Sequence, residues 1–143
     1  MTNDAVRKLF DNYADVFNAA LSGKPDLAAL ADLYEDSFIG AAPAGVMVGS
    51  KGKEFEEAMS AGFDRSRKIG MKSMTVQGVD VADIDPIHAM ARVDWQAAYE
   101  TSTDDTLIDF TNVYLVREMD GRAQVFGWIT GDEEAELKKH GIV

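Results

Sequence analysis

The segment HAMARVDW, residues 88 to 95, contains the side chains best suited to chemistry in this chain. Arg92 and Asp94 are two residues apart in a strand-like pattern, so their side chains point to the same face. A guanidinium beside a carboxylate favours the ionised form, and an ionised carboxylate can polarise a water molecule or accept a proton. The His88 side chain points to the same face and could relay a proton. These three residues are the candidate catalytic group.

A structural interpretation of the same residues is also open. Opposite charges on a strand often form an ion pair on a solvent-exposed or subunit-facing surface, and a lone histidine after a turn often caps that turn. The opposite face of the segment is almost entirely apolar, which favours its burial against helices. It carries Ala89, Ala91, Val93, Trp95, Ala97 and Tyr99. A register shift of one residue would exchange the two faces.

Length and composition predict one domain spanning residues 1–143. The net charge of −11 would repel phosphate backbones and anionic lipids, so we expect neither a nucleic acid nor a membrane as partner. The chain has no cysteine and two distant histidines, which predicts no disulfide, no metal site and no cofactor. It has no signal-peptide core and no apolar run of about 18 residues, which predicts a cytoplasmic protein.

The apolar periodicity predicts helices first and strands afterwards. Five residues of the first segment recur at steps of three and four, which predicts a helix. They are Val6, Phe10, Tyr13, Phe17 and Leu21. A second short helix, a small hairpin and a third helix capped by Ser50 follow. From residue 71 the period changes to two over four long stretches, which predicts an antiparallel meander, and Thr130 with Glu133 has the spacing of a capping box for a terminal helix. This order predicts an α+β fold in which helices cover one face of a bent sheet.

This arrangement resembles the nuclear transport factor 2-like superfamily, which includes ketosteroid isomerase, SnoaL-like polyketide cyclases and limonene epoxide hydrolase. The resemblance covers nearly the whole chain. It is carried by FNAALSGKPDLAALADLYEDSFI, AAPAGVMVGSKGKEF, HAMARVDW and REMDGRAQVFGWITGDEE. It implies a cone-shaped, cystatin-like fold, with a strongly bent antiparallel sheet wrapped around the N-terminal helices. It also implies an interior pocket, and a homodimer formed through the outer face of the sheet.

The resemblance implies that aromatic and polar residues line this pocket. The candidate ligand-binding residues are Tyr13, Phe17, Tyr34, Phe38, Met90, Asn112, Phe126 and Trp128. Such a lining would accept a small hydrophobic or amphipathic molecule. The alternative interpretation is that these side chains simply form the core.

The catalytic residues of the isomerase are not matched. The resemblance aligns Phe17 with its tyrosine, Ala42 with its general base, and Val113 or Asn112 with its acid. None of these side chains exchanges a proton at neutral pH, so isomerase chemistry by that mechanism is not expected.

The epoxide hydrolase is matched in part. Its Arg-x-Asp pair corresponds to Arg92 and Asp94, but its second aspartate aligns near Trp128, where this sequence has no carboxylate. We therefore favour noncatalytic binding of a small, mostly apolar ligand. Two alternatives stay open: a hydrolase, isomerase or cyclase using Asp94, Arg92 and His88, and an interaction module that binds another protein through its sheet.

Overall fold

The computed structural model describes residues 3–143 and has four helices and one six-stranded sheet in that range. The elements are α1 Asn3–Leu21, α2 Leu27–Asp32, β1 Tyr34–Ala42, β2 Gly45–Ser50, α3 Lys53–Lys68, β3 Met71–Asp83, β4 His88–Glu100, β5 Asp105–Met119, β6 Arg122–Ile129 and α4 Glu133–Lys139. The predicted α+β class and the order of helices and strands are confirmed. No helix within these residues is long and apolar enough to cross a membrane.

The strands lie in the order β2-β1-β6-β5-β4-β3. The last four strands form the predicted antiparallel meander, and β1 with β2 forms the predicted hairpin. The strand β1 also pairs in parallel with β6, which places Gly40 beside Trp128 and Ala41 beside Ile129. This parallel pair attaches the N-terminal hairpin to the end of the meander and completes the sheet.

The helix α1 covers the inner face of the sheet. Its apolar stripe is buried, with Val6 and Phe10 fully inaccessible. The Asn18 side chain fixes the helix to β3, because its Nδ2 donates to the Met74 carbonyl (2.9 Å) while its Oδ1 accepts from the Met74 amide (2.8 Å). Arg7 donates to the Val79 carbonyl at 3.1 Å. These contacts hold the aromatic residues of α1 above the centre of the sheet.

Two helices have N-cap residues other than those predicted from the sequence. The N-cap of α3 is Gly52, which has no side-chain cap, rather than Ser50. The N-cap of α4 is Asp132, whose carboxylate accepts from the Ala135 amide at 3.0 Å, so the predicted capping box is wrong. Aspartate is as good a cap as threonine, and spacing alone did not distinguish them.

The hairpin between β5 and β6 has a two-residue turn, because Met119 pairs with Arg122. Its central residues Asp120 and Gly121 have φ of 53° and 77°. Positive φ at both positions is typical of the type I′ turn that suits antiparallel strands, and Asp-Gly is a favoured pair there. This turn fixes the register between β5 and β6.

Candidate functional site

A connected group of polar side chains lies between α1 and the inner face of the sheet. The hydroxyls of Tyr13 and Tyr34 are 2.9 Å apart and hydrogen-bonded. The Trp95 indole donates to the Tyr114 hydroxyl at 3.0 Å, and the Asn112 amide donates to the same oxygen at 3.3 Å. The Tyr13 and Tyr114 rings meet edge to face, with centroids 5.7 Å apart. We call these five residues the tyrosine cluster.

Aromatic rings surround the tyrosine cluster and fill the space beneath α1. They belong to Phe10, Phe17, Phe38, Phe55, Phe63 and Trp128. Trp95 is inaccessible to solvent, while Tyr34 and Tyr114 are each 3% exposed, so no water-sized void adjoins most of their surface. Among the described residues, the interior is therefore packed, and the structure does not show the open chamber that the family resemblance implied.

The structure brings six of the eight predicted ligand-binding residues together on the inner side of the sheet. They are Tyr13, Phe17, Tyr34, Phe38, Asn112 and Trp128. The other two lie elsewhere, which corrects their predicted placement. Met90 is on the outer face and is 41% exposed, and Phe126 contacts the edge of the His88 ring with centroids 5.8 Å apart. A register shift between Leu115 and Val116 in the pairing with β6 breaks the alternation of faces between Val125 and Gly127, so Phe126 does not share the face of Trp128.

Burial raises the pKa of all four tyrosines of the chain, namely Tyr13, Tyr34, Tyr99 and Tyr114. Desolvation is the main cause at each position, because a phenolate loses its hydration in an aromatic interior. At Tyr13, the neighbouring hydroxyls of Tyr34 and Tyr114 raise the pKa further. The tyrosine cluster is therefore neutral at physiological pH and can donate hydrogen bonds, but it supplies no base.

These raised pKa values predict alkaline destabilisation. The folded state holds phenolic protons more tightly than the unfolded chain, in which tyrosine titrates near pKa 10, so stability is fully present below about pH 10 and falls above it. Each buried tyrosine adds a slope of about 1.4 kcal/mol per pH unit in that range. Urea denaturation between about pH 8 and 11 measures this slope. The Tyr13→Phe variant should show a shallower slope, and a native protein whose tyrosinate absorbance appears near pH 10 would contradict the prediction.

The candidate catalytic residues lie on the outer face of β4, away from the helices. The alternating pattern assigned the apolar face to the interior, and the structure has Ala89, Ala91 and Val93 inaccessible there. Arg92 and Asp94 are exposed on the other face. Arg92 and Asp94 therefore do not face the interior that the family resemblance implied as the pocket.

The three candidates do not form one catalytic group. Asp94 accepts a hydrogen bond from the Thr111 hydroxyl at 2.7 Å. The Arg92 side chain makes no hydrogen bond and no ion pair within 4.0 Å to any described residue. The His88 ring binds Asp85 at 2.9 Å in the turn between β3 and β4. Backbone hydrogen bonding from Ile87, followed by the His88 side chain, lowers the Asp85 pKa. His88 thus fits the turn-capping interpretation.

A cavity lies on this outer face. It has a volume of about 370 Å³ and is lined by Gln77, Asp94, Trp95, Gln96, Asp109, Phe110 and Thr111. It is open to solvent, and the Asp109 carboxylate is engaged by the Gln96 amide at 3.0 Å. Within residues 3–143, no cluster of three acidic, histidine or cysteine side chains is arranged to hold a metal ion.

A second cavity, which we call the mouth cavity, has a volume of about 350 Å³ and lies where β1 and β2 meet Trp128. It is also open to solvent. It is lined by Gly40, Ala41, Ala42, Ala44, Gly45, Val46, Met47, Trp128 and Thr130. The strand register aligns Met47, Gly40, Trp128 and Tyr114 in one row across the inner face, so the mouth cavity adjoins the aromatic interior.

Glycine is required at position 40 for this arrangement. A Cβ there would lie 2.6 Å from Trp128 Nε1, so only glycine lets the indole lie against β1. The half-buried indole thereby forms both a wall of the mouth cavity and a cover over Tyr34, with ring centroids 5.7 Å apart. The sequence did not identify this site. Its signal was the run of small residues GAAPAG, which leaves space beside a large ring.

This chain matches one protein family and is similar in fold to several solved structures. A family model described as NTF2-like protein (DUF6841) matches residues 3–133. The chain belongs to this family. A search of curated proteins found no match to the chain. The match confirms the suspected relationship to the nuclear transport factor 2-like superfamily.

Solved structures show the same NTF2-like fold. An NTF-2 like protein of unknown function from Shewanella oneidensis MR-1 is 16% identical with a TM-score of 0.66, over 92% of this chain and 100% of the other. An ntf2-like protein with a cystatin-like fold from Novosphingobium aromaticivorans is 14% identical with a TM-score of 0.67, over 98% and 87%. A ketosteroid isomerase-like protein from Erwinia carotovora atroseptica is 16% identical with a TM-score of 0.62, over 90% and 93%. At these identities the likeness establishes the NTF2-like fold alone.

Proposed function

We propose that this NTF2-like protein binds a small, mostly apolar molecule in the mouth cavity and performs no chemistry on it. The observation that carries the proposal is the cavity of about 350 Å³ beside Trp128. Its size falls in the range of small-molecule sites, which start at about 300 Å³. The indole of Trp128 offers an aromatic face, Met47 an adaptable apolar wall, and Thr130 a hydroxyl that can fix a polar group.

The chemistry of the lining supports binding rather than catalysis. None of the nine lining residues has an ionisable side chain. The adjoining tyrosine cluster consists of phenols, one amide and one indole, and the pKa of its phenols is raised, so it supplies no general base at neutral pH. A neutral or cationic ligand suits a chain with a net charge of −11 better than an anionic ligand does.

The enzyme alternative has weaker support in the geometry. A water-activating Asp94 needs a second polar group that orients the water and an enclosure that excludes bulk solvent. Asp94 lies instead in an open groove, where it accepts a hydrogen bond from the Thr111 hydroxyl and forms no ion pair with Arg92. The ketosteroid isomerase-like neighbour supports the fold of this chain alone. This chain has Ala42, which cannot accept a proton, at the position that the resemblance aligns with the general base of the isomerase.

The proposal is tested by binding of N-phenyl-1-naphthylamine, a neutral aromatic fluorophore that brightens in apolar sites. We expect saturable binding to the wild-type protein and at least a tenfold weaker affinity, about 1.4 kcal/mol, in Ala42→Phe, because the added ring fills the mouth cavity. The matched control is Ala61→Phe, which places the same ring at an exposed position of α3 outside the cavity.

A second readout locates the ligand. Trp128 is half-buried at the cavity and Trp95 is inaccessible, and these are the two tryptophans of the chain. Ligand-induced quenching of tryptophan fluorescence should therefore disappear in Trp128→Phe. Equal affinity of the wild-type protein and Ala42→Phe, or quenching that persists in Trp128→Phe, would exclude the mouth cavity as the site.

A further inference from the structure

Met47 is the most exposed methionine among the described residues, and it lines the mouth cavity. Its exposed fraction is 50%, whereas Met90 and Met119 are each 41% exposed and are not part of the cavity lining. The chain has no cysteine, so thioethers are the only sulfur groups that an oxidant can modify. Peroxides convert exposed thioethers to sulfoxides, and reductases reverse the change. The wall of the mouth cavity is therefore open to reversible oxidation at Met47.

The indole nitrogen of Trp128 is a hydrogen-bond donor without an acceptor. Its Nε1–H makes no hydrogen bond to any described residue, whereas the other indole, that of Trp95, donates to the Tyr114 hydroxyl at 3.0 Å. An indole N–H can only donate, and it usually has a partner where the ring is buried. Trp128 thus carries an unused donor at the wall of the mouth cavity.

Met47 and the Trp128 indole lie on either side of Gly40. The register pairs Met47 with Gly40 across β1 and β2, and Gly40 with Trp128 across β1 and β6. The nitrogen edge of the indole lies over this glycine, because a Cβ there would be 2.6 Å from Nε1 and 2.7 Å from Cε2. Neighbouring strands are about 4.8 Å apart, a spacing that a long, flexible methionine side chain can cover. The missing side chain of Gly40 leaves the path between the sulfur and the indole nitrogen open.

We propose that Met47 is a redox-modification site whose oxidation closes the mouth cavity. Hydrogen peroxide transfers one oxygen atom to the thioether sulfur, which is oxidised to the sulfoxide, and the peroxide is reduced to water. The sulfoxide oxygen then accepts a hydrogen bond from the Trp128 Nε1–H above Gly40. This bond crosses the cavity and makes its apolar wall polar, so an apolar ligand is excluded. The loss of affinity rests on the binding proposed for the mouth cavity, whereas the modification and the hydrogen bond do not.

Oxidation at this position leaves the fold intact. Met47 lies in the edge strand β2, whose pairing with β1 uses backbone groups, and half of its side chain is already in water. A polar sulfoxide therefore loses little hydration there. By contrast, Met71 and Met74 are each 9% exposed and belong to the core, where peroxide reaches the sulfur only after local opening. The modification is thus confined to the surface and to the mouth cavity.

Two-dimensional ¹H–¹⁵N NMR of the full chain tests the hydrogen bond without a ligand. Two tryptophans give two indole N–H signals, which Trp128→Phe assigns. After mild peroxide treatment, the Trp128 signal should move downfield and exchange with water about tenfold more slowly, while the Trp95 signal stays in place. Met47→Leu should abolish the change, and the matched control Met90→Leu should keep it. An unmoved Trp128 signal in protein whose Met47 is shown by peptide mass spectrometry to be a sulfoxide would overturn the proposal.

Binding of N-phenyl-1-naphthylamine tests the closure of the cavity. Peroxide should weaken the affinity of the wild-type protein and of Met90→Leu about tenfold, and should leave that of Met47→Leu unchanged. Methionine sulfoxide reductases should restore the affinity, which also shows that the protein stayed folded. Equal affinity before and after oxidation of Met47 would overturn the closure. Absence of binding to the untreated wild-type protein would instead overturn the proposed function, and the NMR measurement would then decide the redox proposal alone.

Discussion

Replacing Trp95 by alanine is expected to lower the free energy of unfolding by about 3–5 kcal/mol. The side chain is inaccessible to solvent and contacts the Tyr13 ring with centroids 5.7 Å apart. Its loss leaves a cavity at the point where α1 meets the sheet, and it removes the donor to the Tyr114 hydroxyl. Urea denaturation followed by far-ultraviolet circular dichroism measures the change without depending on tryptophan fluorescence.

The matched control for this prediction is Tyr114→Phe, which keeps the ring and removes the hydroxyl. We expect a loss of about 1–3 kcal/mol, because the Trp95 indole and the Asn112 amide lose their shared acceptor inside the protein. The two variants therefore separate ring packing from hydrogen bonding. If Trp95→Ala lowers the free energy of unfolding by no more than Tyr114→Phe does, the hydrogen bonds to the Tyr114 hydroxyl, rather than the packing of the Trp95 ring, stabilise the interior.

Replacing Gly70 by alanine is expected to destabilise the fold by at least ~2 kcal/mol. Gly70 has φ of 94°, and a Cβ there would overlap the backbone carbonyl oxygen of Glu100. The Gly70 carbonyl also accepts from the Glu100 amide at 2.8 Å, so the turn before β3 and the end of β4 cannot separate without losing this bond. Thermal and urea denaturation of the purified variant measure the effect.

Two other glycines serve as controls for Gly70. Gly23 also has a positive φ of 91°, but no atom lies within 4 Å of the position that a Cβ would occupy. Gly23→Ala should therefore lower the free energy of unfolding by about 1–2 kcal/mol, from backbone strain alone. Gly62 is inside α3 with open space around it, so Gly62→Ala should stabilise the protein by about 0.5–1 kcal/mol. Equal effects at Gly70 and Gly23 would show that the contact with Glu100 adds nothing.

Much of the fold could be predicted because it depends on periodicity. Steps of three and four identified α1, and the alternation in β4 correctly assigned Ala91, Val93 and Trp95 to the buried face. The parallel pairing of β1 with β6 was beyond this reasoning, since it joins residues nearly ninety positions apart whose local sequences look like ordinary strands. The N-caps predicted at Ser50 and Thr130 were wrong for a different reason. Serine, threonine and aspartate are all acceptable N-cap residues, and the path of the chain determines which residue occupies that position.

The candidate site could be predicted only in part. Periodicity identified Tyr13 as inward-facing, and the family resemblance implied the same for Tyr34 and Trp128. Neither could tell a chamber from a packed interior, because that depends on whether ring volumes fill the available space. The mouth cavity is lined by small residues such as Gly40 and Ala42, which a search for chemically active residues overlooks. Phe126 was misplaced because a register shift changed the parity of β6 after Val125.

The parallel pairing of β1 with β6 also determines when the chain can fold during synthesis. The β1–β2 hairpin is synthesised early, but its only other neighbour in the sheet is β6, the last strand. It can therefore join the sheet only after residue 129 has left the ribosome. Nascent chains with such long-range closures fold slowly and expose apolar segments meanwhile. The uncharged strand Gly45–Ser50 is the segment most at risk of aggregation in that interval, and truncation before β6 would make this vulnerability permanent.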